Sequence, residues 1–245
     1  MHPHTVRIGV AGWSIPKLSA AAFPAAGTHL ERYAQVFPAT EVNSRFYRPH
    51  KPETWARWAA STPEDFRFAI KLPRAVTHER RLRGCEDLMT AYLAEIAPLG
   101  PRLGPLLAQL PPSLAFDRAV VADFLAVLRS RFAGDLVCEP RHGSWFREEA
   151  ETLLADHRVA RVAADPAPVP AAAEPGGWPG LRYWRLHGSP VMYRSKYDAA
   201  VLDRLAERIA REAAGRPVWC IFDNTADFHA VDDALAMLGR LGRTE

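Results

Sequence analysis

Trp184-Arg185-Leu186-His187-Gly188 ends an apolar run with two basic side chains, and strand alternation sets Arg185 and His187 on one face, Trp184 and Leu186 on the other. Five further runs end alike: Glu41-Val42-Asn43-Ser44-Arg45-Phe46-Tyr47, Ala69-Ile70-Lys71-Leu72-Pro73-Arg74, Leu107-Ala108-Gln109-Leu110-Pro111, Val137-Cys138-Glu139-Pro140-Arg141-His142 and Phe222-Asp223-Asn224-Thr225. A parallel strand covered on both faces is almost wholly apolar, so charges at its C-terminal end need a cause. A site at the mouth of a β/α barrel, where strand ends converge, supplies one for all six.

Outward from these runs, strand signals fall at residues 7–11, 39–43, 67–71, 106–110, 135–139, 160–164, 182–187 and 218–222. Helical patterns occupy 30–37, 52–58, 88–96, 119–131, 148–156, 199–214 and 230–241. Strand–helix alternation predicts βαβ units and a parallel sheet, and eight units close a TIM-like (β/α)8 barrel. Proline recurs from Pro166 to Pro179, which rules out a regular helix there and predicts an irregular sixth crossover. An open doubly wound sheet is the competing architecture, but no Gly-x-Gly-x-x-Gly turn follows the first strand. The expected organisation is one domain over residues 1–245.

The chain has 245 residues, 48% of them hydrophobic and 24% charged, with a net charge of +3, which is ordinary for a soluble globular protein and does not by itself call for nucleic acid. Lys17, Lys51, Lys71 and Lys196 are the only lysines. The three cysteines, Cys85, Cys138 and Cys220, are widely spaced and form no Cys-x-x-Cys pair, which argues against a disulfide framework or a zinc knuckle. No apolar segment approaches the length of a spanning helix and no leader pattern opens the chain, so a cytoplasmic protein without membrane contact is expected. Oligomeric state is not legible.

Alternation places Glu41 with Asn43 and Glu139 with Arg141 on shared faces, with Lys71 and Gln109 single at their strand ends. Charges buried together there must pair or meet a ligand. An internal salt-bridge network and a reactive site both answer that need. As a site, Glu41, Lys71, Glu139 and His187 are the catalytic candidates: a carboxylate as base, Lys71 and Arg185 against developing negative charge, His187 as proton carrier. The loops beyond carry basic residues among aromatics, and Asn43, Tyr47, Arg74, His78, Gln109, Arg141, Trp145, Arg185, Tyr193, Arg194 and Asn224 are the candidate substrate-binding residues. A solvated, internally paired rim is the alternative.

These motifs resemble the YecE-like family, the domain of unknown function numbered seventy-two. The carrying residues are Gly12-Trp13-Ser14, Glu41-Val42-Asn43-Ser44 with Phe46-Tyr47, Phe68-Ala69-Ile70-Lys71 with Pro73-Arg74 and Thr77-His78, and Gln109-Leu110-Pro111-Pro112. They continue in Glu139 with Arg141-His142 and Ser144-Trp145-Phe146, Arg185 with His187-Gly188, Tyr193-Arg194, and Asn224-Thr225 with His229-Ala230. The resemblance implies a TIM-like barrel and no established activity. Asp223-Asn224 departs from the Asn pair usual in that family, as do Gly143 and the first loop, Ile15 to Ser19.

Three functions compete. The first is an enzyme acting on a phosphorylated or polyanionic substrate, such as a nucleotide, nucleic acid or sugar phosphate, at the C-terminal mouth, with no cofactor. The second is a divalent-metal sugar isomerase or epimerase using Glu139, Asp165, His187 and Asp223, one from each of the last four strand ends. The third is a non-catalytic nucleic-acid-binding module.

Overall fold

The computed structural model describes residues 6–242. The strands are β1 (Val6–Ala11), β2 (Ala39–Val42), β3 (Arg67–Lys71), β4 (Leu103–Gln109), β5 (Leu136–Glu139), β6 (Val159–Arg161), β7 (Ala163–Asp165), β8 (Gly176–Gly177), β9 (Arg182–Leu186) and β10 (Val218–Phe222). The helices are α1 (His29–Ala34), the single turn α2 (Ser44–Tyr47), α3 (Pro52–Ala60), α4 (Glu86–Ile96), α5 (Arg118–Arg129), α6 (Glu148–Asp156), α7 (Ala199–Ala213) and α8 (His229–Leu241). Their starts follow local chemistry: a Thr28–Glu31 capping box opens α1, Pro52 opens α3, and Asp117 and Asp198 cap α5 and α7.

The sheet runs β7-β9-β10-β1-β2-β3-β4-β5-β6-β8, and every pairing is parallel except β6 with β8. This is an α/β fold with a near-closed barrel sheet of ten strands among the described residues, where eight were expected. The excess is local. The sixth expected strand divides at Val162: β6 pairs with β5 and β7 with β9, so its two halves bring the ends of the sheet together. The proline-rich crossover adds the two-residue β8 against β6. As expected, no regular helix forms there; Pro170–Ala173 makes one 3₁₀ turn.

Two apolar layers flank the sheet. The outer layer packs Phe68, Ile70, Trp184, Leu186, Cys220 and Phe222 against the helices. The inner layer holds Ala39, Ala69, Leu107, Val137, Ala160, Val162, Tyr183, Trp219 and Ile221. Alanines on β2, β3 and β6 leave room inside for Tyr183 and Trp219, whose rings stack at 5.8 Å. Gly104 is part of that fit, since a Cβ there would meet the Trp219 ring at 2.8 Å. All three cysteines are buried and free. Among the described residues, no helix is long and apolar enough to cross a membrane.

Candidate active site

One step beyond the Tyr183–Trp219 floor, the inward positions turn from apolar to charged. The parity that places Ala39, Ala69, Leu107, Val137, Tyr183 and Ile221 inside carries on to Glu41, Lys71, Gln109, Glu139, Arg185 and Asp223. Arg185, 1% exposed, is the hub. Its Nε donates to Glu41 Oε2 at 2.9 Å, its Nη2 to Glu41 Oε1 at 2.6 Å and Asp223 Oδ2 at 2.8 Å, and its Nη1 to Glu139 Oε2. Tyr183 donates its hydroxyl to Glu41 Oε2 at 3.0 Å. Arg141, half-buried above, donates Nε to Glu139 Oε1 at 3.1 Å.

His187 closes the layer. Its Nδ1 lies 3.1 Å from Asp223 Oδ2 and its Nε2 lies 3.2 Å from Glu139 Oε1. Both ring nitrogens facing carboxylate oxygens is the arrangement of an imidazolium, which alone donates from both. Burial and the Arg185 charge oppose protonation, yet Glu139 and the two carboxylate bonds prevail and His187 titrates above its ordinary value. Burial pushes Glu139 upward, but Arg185, His187 and Arg141 outweigh it and hold the carboxyl well below the usual range. Asp223 is lowered as well, against burial, by Arg185 and His187.

The sequence expectation of Glu41 or Glu139 as a general base meets saturated carboxylates here. Every oxygen of both accepts from a donor or faces one, and Glu139, held so far down, is a weak base.

Lys71 differs. It is half-buried, its amine sits 4.0 Å over the Phe46 ring, and among the described residues no carboxylate lies within 4 Å of it. Burial first, then the Arg185 charge, lower its pKa to about 8, against the pull of Glu41, Glu139 and Asp223. His78 meets the same Phe46 ring edge-on at 5.0 Å. Burial and the nearby charges of Lys71, Arg74 and Arg141 lower its pKa, with Glu79 opposing. Lys71, Arg74 and Arg141 thus place positive charge around a neutral His78 at one side of the mouth. Asn43, at the end of β2, has a buried Oδ1 without a hydrogen-bond partner among the described residues. Gln109 is buried and donates to Leu110 O at 3.0 Å.

Other expected binding residues stand elsewhere. Trp145 is 1% exposed, donates to Leu114 O at 2.9 Å and packs edge-on against Phe116; it belongs to the outer core, because the chain turns outward after Pro140. Asn224 follows the outward parity, and its amide holds Ser195 O at 2.9 Å and Asp233 Oδ2 at 2.7 Å, tying the loop after β9 to α8. Arg194 is exposed and paired with Asp227 at 2.9 Å. Arg185 is spent beneath the mouth. Of the four candidate arginines, Arg74 and Arg141 act with Lys71 on His78. Tyr47 is exposed. Tyr193 covers His187 edge-on at 5.6 Å, and its hydroxyl accepts from Arg141 at 3.4 Å. Gly188 makes that cover by taking φ +91°, where a Cβ would meet Ser195 O at 2.8 Å.

The alternative metal set does not assemble. Asp165 has the outward parity of β7 and accepts from the Tyr197 hydroxyl at 2.7 Å. Glu139 and Asp223 face the Arg185 guanidinium, which occupies the place of a cation. Among the described residues no three His, Cys, Asp or Glu side chains are grouped to hold a metal ion. Sequence reasoning missed Tyr183 and Asp233. Period-two alternation from Arg185 would have found the first. The second is a fully buried carboxylate on the apolar face of α8, bonded also to Tyr197 N at 3.1 Å.

The model of the family described as "Protein of unknown function DUF72" matches residues 7–245. Among curated proteins, the chain is 37% identical to the UPF0759 protein YecE of Escherichia coli K12 over 173 residues, and 27% identical to the UPF0759 protein YunF of Bacillus subtilis over 149. Those alignments span 61% and 52% of the relatives' lengths. The crystal structure of a DUF72 family protein from Thermotoga maritima superimposes with a TM-score of 0.80 at 26% identity, covering 98% of this chain and 100% of that one. A D-psicose 3-epimerase from Clostridium cellulolyticum, 9% identical, shares the fold at a TM-score of 0.55, covering 97% of this chain and 98% of that one.

Proposed function

This chain belongs to the DUF72 family, and from that premise we propose that it is an enzyme acting on a phosphorylated or polyanionic substrate held at the C-terminal mouth of the barrel. One observation carries the reading: Lys71 is a half-buried cation with no carboxylate within 4 Å among the described residues, and it acts together with Arg74 and Arg141 on His78. An anion arriving there meets positive charge already assembled, and the depressed Lys71 pKa reports the cost of keeping that charge without a partner. Arg141 supplies a fork suited to phosphate oxygens, and Asn43 and Gln109 line the adjoining strand ends. The Arg185 layer beneath orients these groups and stays out of the chemistry.

The epimerase likeness supports a barrel and nothing finer, and the donor chemistry around Arg185 does not suit a dication. The test is calorimetric titration with pyrophosphate and with a nucleoside triphosphate at low and at high salt. Saturable binding that weakens with salt and is lost in Lys71→Met is expected. No saturable binding at low salt overturns the reading. Salt-steep binding of a polynucleotide that survives Lys71→Met would instead favour a nucleic-acid-binding rim.

A further inference from the structure

Lys71 has the surroundings of a nucleophile as well as of a counter-ion. His78 meets the same Phe46 ring edge-on at 5.0 Å, and its Nδ1 lies 2.9 Å from the Thr77 hydroxyl. Burial, then the cations around it, disfavour His78 protonation, so it stands neutral near the amine and able to accept a proton. Arg74 and Arg141 act on the same His78 as Lys71 and offer guanidinium groups to an anionic end of the substrate. A substrate that used all of these would carry a phosphate at one end and a carbonyl at the other.

We propose that Lys71 forms an imine with a phosphorylated aldehyde or ketone, with His78 as the proton carrier. The proposal rests on the anion-binding reading above and names its substrate class. In the step, the neutral amine nitrogen attacks the carbonyl carbon. The carbonyl π electrons move to oxygen, which takes a proton, while nitrogen gives one up through His78. The carbinolamine then loses its hydroxyl as water, which takes the nitrogen's second proton through the same carrier, and the carbon–nitrogen double bond forms. Amine and carbonyl yield imine and water, with no oxidant and no metal.

The requirement for a free amine is met at neutral pH. With a pKa of about 8, roughly one Lys71 in ten is unprotonated at pH 7, against fewer than about one in a thousand for an ordinary lysine amine.

The small number of lysines makes the test clean. Lys17, Lys51 and Lys196 are exposed and serve as internal controls. The native chain is incubated with glyceraldehyde 3-phosphate and sodium cyanoborohydride, and the modified lysines are mapped by peptide mass. Lys71 is expected to be modified at least about tenfold faster than the three exposed lysines, with pyrophosphate slowing Lys71 alone. Labelling of Lys71 no faster than the controls overturns the proposal. Lys71→Arg keeps the cation but cannot form an imine. If it binds pyrophosphate normally and the native Lys71 resists labelling, the imine fails while anion binding stands. If pyrophosphate binds neither protein and Lys71 is not selectively labelled, both fail. A His78→Gln variant is expected to label Lys71 more slowly at saturating glyceraldehyde 3-phosphate; unchanged labelling removes His78 from the step.

Discussion

The barrel holds two groups of charges that differ in one respect. Around Arg185 every charge has a partner, from three carboxylates below to Arg141 and His187 above. Lys71 differs in having no carboxylate within 4 Å among the described residues, and Arg74 pairs with Glu79 at 3.4 Å on the exposed side. Saturated charge in a dry layer fixes geometry, because moving any member strands the others. Unsaturated charge at the edge of that layer is available to a ligand. Burial alone therefore does not distinguish scaffold from site; the number of unused donors does.

The largest effect that could break this comparison is on the saturated side. Arg185→Met leaves Glu41, Glu139 and Asp223 buried around an apolar chain and should cost about 3–5 kcal/mol, the range for removing one partner of a buried ion pair. Urea unfolding measures it, and a cost below about 1 kcal/mol, the range of exposed pairs, would deny Arg185 its structural role. Glu139→Gln should follow with a smaller but large loss. That substitution also lowers the His187 pKa, since Glu139 is the leading influence holding it up.

Lys71→Met should do the reverse. It is expected to leave the melting temperature unchanged or raised while weakening pyrophosphate binding by about tenfold or more, roughly 1.4 kcal/mol. A melting curve and a binding isotherm on the same preparation separate the two groups. A large stability loss with unchanged affinity would place Lys71 on the saturated side.

The pH dependence sharpens the contrast. The folded His187 pKa is raised above its ordinary 6.5, so its contribution is full below 6.5 and is lost as pH rises through the folded value. Glu139 and Asp223 are lowered from 4.5 and 3.8, so theirs is present above those values and is lost as pH falls through the folded ones. Stability should crest between these limits, and His187→Gln should flatten the alkaline limb of a melting-temperature profile. The smallest effect is expected at the rim: Arg194→Ala should change stability by less than about 0.5 kcal/mol, because its pair with Asp227 is exposed and screened.

The inward parity of Glu41, Lys71, Gln109, Glu139, Arg185 and His187 was legible because a two-residue period survives to the strand ends. All eight expected strand positions carry strand. The division at Val162 was not legible, since Val-Ala-Arg-Val-Ala-Ala-Asp, residues 159–165, reads as one apolar run and hydrogen-bonding partners leave no mark on composition. Nor does composition tell how far a loop turns, and so Trp145, four positions past Arg141, was expected at the mouth and lies in the outer core. The partition of the arginines was hidden for a related reason. Arg185 and Arg141 differ from Arg74 only in what lies across the barrel from them.

The reach of Arg185 has a kinetic consequence. It joins Glu41 from 144 positions away, Glu139 from 46 and Asp223 from 38. Contacts of such separation form only after β2, β5, β9 and β10 have come into register, so the hub locks late on the folding path. Interactions absent from the transition state act on the unfolding rate and leave the folding rate almost untouched. The charged layer under the mouth therefore works as a latch, setting how long a finished molecule survives rather than how quickly a new one is made.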